Sequence, residues 1–347
     1  MKWTETLLNW YDENQRDFPW RKSRNPYHVW LSEIILQQTR VEQGLPYYNS
    51  FVSNFPTVFD LAAADEEMVL KLWQGLGYYS RARNLHASAR WIVNEREGVF
   101  PEDYKSLLQL KGVGDYTASA IASICYEEPQ AVVDGNVFRF LSRCFGISTP
   151  IDTSRAHKEF KAKATQLMAD YSPNLFNQAM MEFGALHCTP KKAKCTSCPF
   201  HSVCYAFQQQ SVYEYPLKAK RTKIRKRYFN YLVVKTPSGK TLIHKRAGKG
   251  IWQNLYEFPL IETQSIVDKK QLLEQESFPS NLAPKIASIA PYEDQPIKHL
   301  LSHQHLFIQF WEVKLSEEIE DTICLKALED LPVPVVIQHF IDNHYWR

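Results

Sequence analysis

The sequence predicts two domains of different class: a mainly α-helical region up to about residue 210, and an α+β domain over residues 228–347. In the first part, stretches such as "EEMVLKLWQGL" and "DYTASAIASICY" repeat apolar residues at intervals of three and four, which is typical of helices. In the second part, "YFNYLVVK", the turn "TPSG", "KTLIHKR" and "LFIQFWEVKL" indicate strands. A length of 347 residues is ample for two domains.

The composition is that of a soluble globular protein. Hydrophobic residues make up 44% of the chain, and their longest runs are too short to span a membrane. Acidic and polar residues interrupt the N-terminal stretch "MKWTETLLNWYDENQ", so it does not resemble a signal peptide. We therefore expect a cytoplasmic protein without a membrane partner.

Basic residues are concentrated in two places, although the formal net charge is only +3. The segment Lys218–Arg227 has seven basic residues in ten, and we interpret residues 211–227 as an interdomain linker. Lys191, Lys192 and Lys194 form a second group. Such patches attract phosphate backbones regardless of sequence. A solvated linker without any partner is an equally good interpretation of Lys218–Arg227.

Four of the seven cysteines lie between Cys188 and Cys204, with the spacing C-x6-C-x2-C-x5-C. Disulfides are rare in the cytoplasm, so this cluster predicts a metal site. Structural zinc sites usually pair two short C-x2-C units across a longer loop, whereas this segment has one C-x2-C at its centre. Four thiolates in one loop suit an iron–sulfur cluster, with zinc as the alternative.

A helix is predicted to begin near Asn25 in the segment "PYHVWLSEIILQQTRVEQGL". Asn25 is a suitable N-cap, and Pro26 fits the first helical position. Glu33 shares one face of this helix with Trp30 and Gln37, at offsets of three and four. A single glutamate on a helix is usually a solvated surface residue, so its position alone does not assign it a role.

The segment "LQLKGVGDYTASAIAS" predicts two helices joined by a tight glycine turn. Gly112 and Gly114 allow close approach of a ligand, and the amides at the start of the second helix form an anion site. Asp115 lies near that site and could weaken phosphate binding, which Lys111 could offset. Glycine turns join many helix pairs, so the turn alone is weak evidence.

Asp134 follows the glycine turn by twenty residues, in "VVDGNVFRF". It comes after two β-branched residues and before a helical pattern, so its default role is an N-cap.

These segments together resemble the helix-hairpin-helix DNA glycosylase superfamily. There the turn is usually L-P-G-V-G, and an aspartate in V-D-x-N-V-x-R is catalytic, which implies roles for Asp134 and Asn136. The resemblance implies that Asp134 stabilises the oxocarbenium charge on the sugar of an extruded nucleotide. It also implies that the hairpin glycines Gly112 and Gly114 bind DNA.

The cysteine spacing is similar to that of the endonuclease III and MutY branches of this superfamily. The resemblance implies a [4Fe–4S] cluster that shapes a basic DNA-binding loop. Its ligands would be Cys188, Cys195, Cys198 and Cys204.

The stretch S-E-x-x-L-Q-Q-T is similar to the MutY-type adenine DNA glycosylases, and it implies that Glu33 is the catalytic acid. Protonation at N7 makes adenine a neutral leaving group, and burial would raise the pKa of Glu33 as this role requires. "FPWR", which ends at Arg21, and "LWQGLGYYSRARNLH" also resemble this branch. The resemblance implies that Arg21 contacts substrate or DNA and that Gln38 and Tyr78 enter the DNA stack.

Tyr116 stands where bifunctional relatives have a lysine that forms a Schiff base with the sugar. Tyrosine cannot form one. We therefore expect Tyr116 to belong to the catalytic set of an enzyme that removes the base without cleaving the strand.

The second domain resembles the MutT-like (Nudix) domain of MutY proteins, although its sequence has no Nudix box of clustered glutamates. The resemblance implies a module that binds 8-oxoguanine through the loop "LLSHQH", with Ser302 and His303 as readers. Leu301 replaces the aromatic residue that is common there. A structural histidine remains an alternative for His303. "GIWQNLYEFPL" is also similar to the family segment.

We therefore expect a monomeric, monofunctional adenine DNA glycosylase of base excision repair. Its partner would be double-stranded DNA with A:8-oxoguanine or A:G mispairs in a bacterial cytoplasm. Two alternatives remain: a bifunctional endonuclease III-like enzyme, which Tyr116 and the second domain disfavour, and an iron–sulfur DNA-binding or redox-sensing module. Glu33 and Asp134 disfavour the second alternative, since binding alone requires neither.

Overall fold

A computed structural model describes residues 2–219 and 224–344 of the chain. The chain forms two compact units, one from Met1–Ala63 with Asn84–Arg221 and one from Ala64–Arg83 with Thr222–Arg347. Residues 220–223 of the predicted linker lie outside the described residues. Strand β1 begins at Arg225, so the last residues of that linker are part of a strand.

The first unit is helical, as the sequence predicts. Its helices are α1 (Trp3–Asn14), α2 (Pro26–Leu36), α3 (Val41–Asn54), α4 (Val58–Ala63), the greater part of α6 (Ser80–Arg96), α7 (Tyr104–Leu107), α8 (Asp115–Tyr126), α9 (Gly135–Phe145), α10 (Ser154–Met168), α11 (Pro173–Leu186) and α12 (Tyr205–Gln208). Short 3-10 turns cover Pro19–Arg21 and Cys195–Ser197.

Several helices begin where side chains can satisfy their free backbone amides. The Asn25 side chain accepts from the Tyr27 amide at 2.9 Å, and Pro26 occupies the first turn of α2, both as predicted. Asp134 caps α9 by accepting from the Asn136 and Val137 amides. Ser172 and Thr153 cap α11 and α10 in the same way. These caps fix the starting points of the helices that carry the site residues.

The core of this unit forms where α9, α10 and α11 meet α1. Large side chains such as Phe140, Phe160 and Phe183 are almost fully buried there. The sulfur atoms of the cysteine segment pack against the same core through Cys188 and Cys198. Burial of aromatic and aliphatic surface on this scale is the main stabilising contribution to the unit.

The second unit is α+β. Its helices are α5 (Glu66–Leu72), α13 (Lys269–Leu273) and α14 (Val335–His344), with 3-10 turns at Ala283–Lys285 and Leu325–Glu329. Its strands are β1 (Arg225–Lys235), β2 (Thr241–Leu242), β3 (His244–Lys245), β4 (Tyr256–Glu257), β5 (Leu260–Thr263), β6 (Ile286–Pro291), β7 (Ile297–Leu300), β8 (Gln304–Leu315) and β9 (Thr322–Ile323).

The main sheet has the order β5-β1-β8-β6, and β7 also pairs with β8. Strands β1 and β8 are parallel, with Tyr228 opposite Phe307, and apolar side chains further along them, such as Leu232 and Phe310, are almost fully buried. Strand β7 is antiparallel to β8, and the turn Leu301–Gln304 joins them: the Leu301 amide donates to the Gln304 carbonyl at 2.8 Å. This turn therefore presents the side chains of Ser302 and His303 at one end of the sheet.

Across the described residues, no helix is sufficiently long and apolar to cross a membrane.

Candidate active site and nucleic-acid interface

A cavity of about 180 Å³ in the first unit contains most of the predicted catalytic residues. Its lining comes from α2, α8, α9, α11 and the turn at Pro19–Arg21. The predicted residues that line it are Glu33, Tyr116, Asp134, Asn136 and Arg21. These residues are far apart in the sequence, so the fold itself assembles the cavity.

Glu33 lies on the buried face of α2, and only 9% of its surface is exposed. Burial raises the pKa of the Glu33 carboxyl to about 7, and the negative charge of Asp134 adds to this effect. A hydrogen bond with Tyr116 and the charge of Arg21 act in the opposite direction. A large fraction of Glu33 is therefore protonated near neutral pH, as a general acid requires.

Tyr116 is the second residue of α8 and is partly buried at the wall of the cavity. Burial and the neighbouring carboxylates Glu33 and Asp134 raise the pKa of its hydroxyl well above the usual value. The hydroxyl also donates to the sulfur of Met181 at 3.5 Å. Tyr116 is thus a neutral hydrogen-bonding group beside the acid.

Asp134 is held at the N-terminus of α9 by three donors. Its Oδ1 accepts from the amides of Asn136 and Val137 at 2.9 and 2.8 Å, and its Oδ2 accepts from Asn136 Nδ2 at 2.7 Å. Burial raises the pKa of Asp134, and these hydrogen bonds oppose that effect. Each donor offers a proton to the carboxylate and offsets part of the cost of burying its charge, but burial is the larger effect and the pKa of Asp134 stays above its usual value. The cap predicted from sequence is confirmed.

Asn136 is fixed in turn by the contact between α9 and α11. Its Oδ1 accepts from Arg139 Nη2 at 2.8 Å, and the same nitrogen donates to the Gly184 carbonyl at 2.6 Å. Arg139 Nε donates to the Cys188 carbonyl at 2.7 Å. A chain of hydrogen bonds therefore leads from Asp134 to the start of the cysteine segment.

Glu182 is a cavity residue that the sequence analysis missed. It is 1% exposed and accepts from Arg16 Nε at 2.8 Å and from Arg21 Nη2 at 3.0 Å. Burial raises its pKa, but the two arginines outweigh burial and hold the pKa at about 2. The available signal was a carboxylate inside the apolar run of "LFNQAMMEFGAL", since an unpaired charge is rarely buried.

The predicted hairpin is formed by α7 and α8. Gly112 has a φ of +79°, and a Cβ there would lie 2.9 Å from Asn84 Cβ, so the turn needs glycine. Gly114 caps α8, and a Cβ built on it would meet nothing within 4 Å. The space beside Gly114 is therefore open, which favours the approach of an anion to the start of α8.

Gln38 lies just after α2 and is exposed, with a φ of +56°. Non-glycine residues adopt this left-handed conformation only rarely, and they often do so at functional sites.

A second cleft, of about 440 Å³, lies entirely within the second unit. Tyr78, Trp252 and His299 line it together with the turn that carries Ser302 and His303. The Tyr78 hydroxyl and Ser302 Oγ are hydrogen-bonded, so residues predicted for two separate roles meet at one place. His303 is exposed, and its carbonyl accepts from the Arg225 amide at 3.0 Å.

The predicted metal ligands Cys188, Cys195, Cys198 and Cys204 line one small cavity of about 20 Å³. Within the described residues, no three His, Cys, Asp or Glu side chains are grouped closely enough to hold a single metal ion. A cubane cluster takes one thiolate per iron, so four cysteines that line a common space supply the number and type of ligands that a [4Fe–4S] cluster requires. Arg143 Nη1 lies 3.5 Å from Cys188 Sγ.

Cys144 is a further thiol near these ligands that the sequence analysis left unassigned. It is 3% exposed, accepts from Trp3 Nε1 at 3.2 Å and is hydrogen-bonded to Cys204. Its distance of more than forty residues from the cysteine cluster concealed it in the sequence.

Comparison with known proteins agrees with this geometry. Residues 31–166 match the family described as HhH-GPD superfamily base excision DNA repair protein, and residues 230–343 match the NUDIX domain. Among solved structures, a thermostable thymine-DNA glycosylase is 29% identical with a TM-score of 0.55, over 59% of this chain and 95% of that one. A non-covalent endonuclease III–DNA complex shares the fold at 21% identity, with a TM-score of 0.53 over 60% and 94% of the two chains.

Curated proteins named adenine DNA glycosylase match this chain over lengths that include residues of both units. The protein of Buchnera aphidicola subsp. Baizongia pistaciae is 32% identical over 88% of this chain and 84% of its own length. That of Buchnera aphidicola subsp. Schizaphis graminum is 36% identical over 75% of each chain. The Arabidopsis thaliana protein is 34% identical over 94% of this chain, which spans 59% of that longer relative.

The fold and the cavity define a helix-hairpin-helix glycosylase of base excision repair, a hydrolase of N-glycosyl bonds. The second unit adds a Nudix-like domain to the glycosylase unit. The chain belongs to the MutY-type adenine DNA glycosylase family.

Proposed function

We propose that the protein removes adenine mispaired with 8-oxoguanine or guanine in double-stranded DNA, without cleaving the strand. The observation that carries the proposal is the pairing, in one cavity, of the buried acid Glu33 with the capped carboxylate Asp134. A leaving base needs a proton, and a developing sugar cation needs a negative charge.

In the proposed mechanism, an extruded adenosine enters the cavity and Glu33 donates its proton to N7 of adenine. The bond between C1′ and N9 breaks, and its electron pair stays with the base, which leaves as neutral adenine. The Asp134 carboxylate stabilises the positive charge that develops at C1′. Water then adds to C1′ and loses a proton, which leaves an abasic site.

Tyr116 and Asn136 support these two carboxyl groups. Tyr116 hydrogen-bonds to Glu33 and so orients the acid, and Asn136 holds Oδ2 of Asp134. Tyr116 has no amine, so no Schiff base forms at this position and the strand remains intact.

Glu182, Arg16 and Arg21 supply a charged wall of the same cavity. Two guanidinium groups share one carboxylate, so the wall has a net positive charge, and its N–H groups and carboxylate oxygens are of the kind that can pair with the polar edge of a purine. We assign Arg21 to substrate binding on this basis. A base that cannot form hydrogen bonds with this buried wall would leave its polar groups without partners, which costs free energy. Such a wall therefore discriminates strongly between bases.

The second cleft is the proposed site for the base opposite adenine. Tyr78 and Trp252 provide aromatic surface, and Ser302 and His303 provide hydrogen-bonding groups on an exposed turn. Gln38, by its exposure and left-handed backbone, is the proposed wedge of the first unit. The hairpin glycines and Lys191, Lys192 and Lys194 would contact phosphates.

A [4Fe–4S] cluster held by Cys188, Cys195, Cys198 and Cys204 is part of this proposal. When bound, the cluster would fix the shape of the basic cysteine segment rather than take part in base removal. Purified protein should be yellow-brown and contain about four iron atoms per chain, whereas a zinc protein would be colourless.

The decisive experiment is excision from a duplex with adenine opposite 8-oxoguanine, analysed with and without alkali. A strand break that appears only after alkali is the expected result, and a break without alkali would contradict the absence of lyase chemistry. Glu33→Gln should release no adenine while still binding the duplex. Glu13→Gln makes the same change on an exposed part of α1 and should behave like the wild type.

A further inference from the structure

Asp115 occupies the first position of α8, directly beside the anion site of the hairpin. A carboxylate at this position would repel a phosphate, although it also interacts favourably with the helix dipole. The question is whether its charge faces the open site at Gly114 or is bound elsewhere.

The Asp115 carboxylate is partly buried, and residues of α7 and α10 supply its partners. Its Oδ1 accepts from the Tyr104 hydroxyl and from Lys161 Nζ, both at 2.5 Å, and its Oδ2 lies 3.2 Å from His157 Nε2. Burial raises the pKa of Asp115, but the hydrogen bonds from Lys161 and Tyr104 outweigh burial and lower the pKa. The carboxylate is therefore ionised, with Oδ1 accepting the hydrogen bonds and Oδ2 facing His157.

Lys161 reaches this carboxylate from α10, which is not part of the hairpin. Its Nζ also donates to Ser119 Oγ at 3.2 Å and lies 4.7 Å from the centre of the Tyr104 ring. The side chain is 22% exposed. Contacts with α7 and α8 thus hold the Lys161 ammonium against the Asp115 carboxylate, so that its positive charge offsets the negative charge of Asp115.

We propose that Lys161 is a positioning residue for DNA binding: by holding Asp115, it keeps the amides at the start of α8 available to a backbone phosphate. Without Lys161, only Tyr104 and His157 would hold the carboxylate, and its uncompensated negative charge would repel a phosphate at those amides or turn toward them and compete with it. This inference rests on the proposed function only in taking duplex DNA as the ligand.

The test is a double-mutant cycle of binding to an undamaged duplex, measured by fluorescence anisotropy at one fixed, low salt concentration. Lys161→Ala should weaken binding roughly tenfold, because it adds repulsion and exposes a competing carboxylate. Asp115→Asn should leave binding within about twofold of the wild type, and the double variant should match Asp115→Asn.

Lys158→Ala is the matched control, since Lys158 is an exposed lysine on the same helix. It removes the same charge without releasing a carboxylate, so its effect should be at most about threefold. Lys161→Gln serves in the same cycle if Lys161→Ala melts at a much lower temperature than the wild type.

Two results would overturn the inference. If Lys161→Ala binds as well as Lys158→Ala, the carboxylate has no influence on the anion site. If the double variant binds as weakly as Lys161→Ala, then removing the Asp115 charge does not restore binding. That result would mean that Lys161 contacts the phosphate directly. Because the duplex contains no mispair, neither result depends on whether the protein excises adenine.

Discussion

Glu33 and Glu182 line the same cavity, but at neutral pH a large fraction of Glu33 is protonated whereas Glu182 is ionised. Burial raises the pKa of Glu33 to about 7, whereas Arg16 and Arg21 hold that of Glu182 at about 2. The difference comes from their partners, since both side chains are almost fully buried. One group can thus donate a proton while the other remains a fixed negative charge.

We predict that adenine excision depends on pH through Glu33. Since the protonated form is the acid, the single-turnover rate should be nearly constant below about pH 7. Above that pH the rate should fall by about tenfold for each pH unit. The measurement is excision under enzyme excess between pH 6 and pH 9. A rate that stays flat up to pH 9 would mean that another group supplies the proton.

Glu33 should also lower the stability of the protein in alkaline solution. Its pKa is 4.5 in the unfolded chain and about 7 in the folded protein, so the folded state binds more protons between these values. Stability is therefore lost as the pH rises through this range, by about 3 kcal/mol in total.

The stability prediction is tested by thermal melting of Glu33→Gln beside the wild type. The variant should melt at a higher temperature at pH 8.5, and the difference should vanish near pH 4.5. The exposed replacement Glu13→Gln should show no such dependence. Equal melting temperatures at both pH values would indicate that Glu33 is well solvated.

For single residues, the sequence predicted site positions only where a short motif around the residue is distinctive. Glu33, Asp134 and the four clustered cysteines stand in short patterns, and the structure places each group in a shared cavity. Glu182 was not predictable in the same way, because its role depends on Arg16 and Arg21, more than 150 residues earlier in the chain. Their meeting is a result of tertiary folding.

Helices α9 and α11 touch at a point where only glycine fits. A Cβ built on Gly184 would lie 2.6 Å from Asn136 Cβ and 2.7 Å from the Asn136 carbonyl oxygen. One of these neighbours is backbone, so a side chain at position 184 could be accommodated only by moving the start of α9. That helix start carries Asp134.

We predict that Gly184→Ala destabilises the protein by about 1–3 kcal/mol through overpacking and lowers the excision rate. Urea unfolding and single-turnover kinetics measure the two effects. Gly135→Ala is the stability control, since a Cβ there meets nothing within 4 Å and its φ is not positive. The control should have nearly wild-type stability, because alanine is favoured over glycine in a helix. Similar losses in both variants would show that the α9–α11 contact is not the cause.

Helices and turns were predictable from sequence where the residues that determine them are close together in the chain. The cap at Asn25 and the glycine turn of the hairpin follow from side-chain chemistry within a few residues. The parallel pairing of β1 with β8 did not follow from sequence, since it joins Arg225 to Gln304 across an intervening run of about eighty residues. Such pairing depends on the packing of the whole sheet.

In the whole molecule, residues 64–83 belong to the second unit although they lie within the helical half of the sequence. Glu67 pairs with Lys245 at 2.9 Å, Lys71 donates to the Leu331 carbonyl at 3.1 Å, and Gln74 is hydrogen-bonded to Gln338. Trp73 is fully buried. No feature of local sequence distinguishes this segment from the helices around it.

We predict that a chain truncated after residue 227 is cleaved by proteases within residues 64–83. These residues would lose the contacts with Lys245 and Leu331 that protect them in the full chain. Limited proteolysis followed by mass spectrometry of the fragments would locate the cleavage sites, with the full chain as the control. Equal resistance of the two chains in this segment would contradict the prediction.

The discontinuous second unit has a consequence for protein engineering. The chain passes from one unit to the other three times, near residues 63, 83 and 221. A hybrid in which the second unit comes from a relative would therefore need two grafts, one for residues 64–83 and one for the C-terminal part. A single crossover near the basic segment would place the sheet of the relative beside the original α5. The polar contacts between the two would then form only if the relative had matching residues by chance.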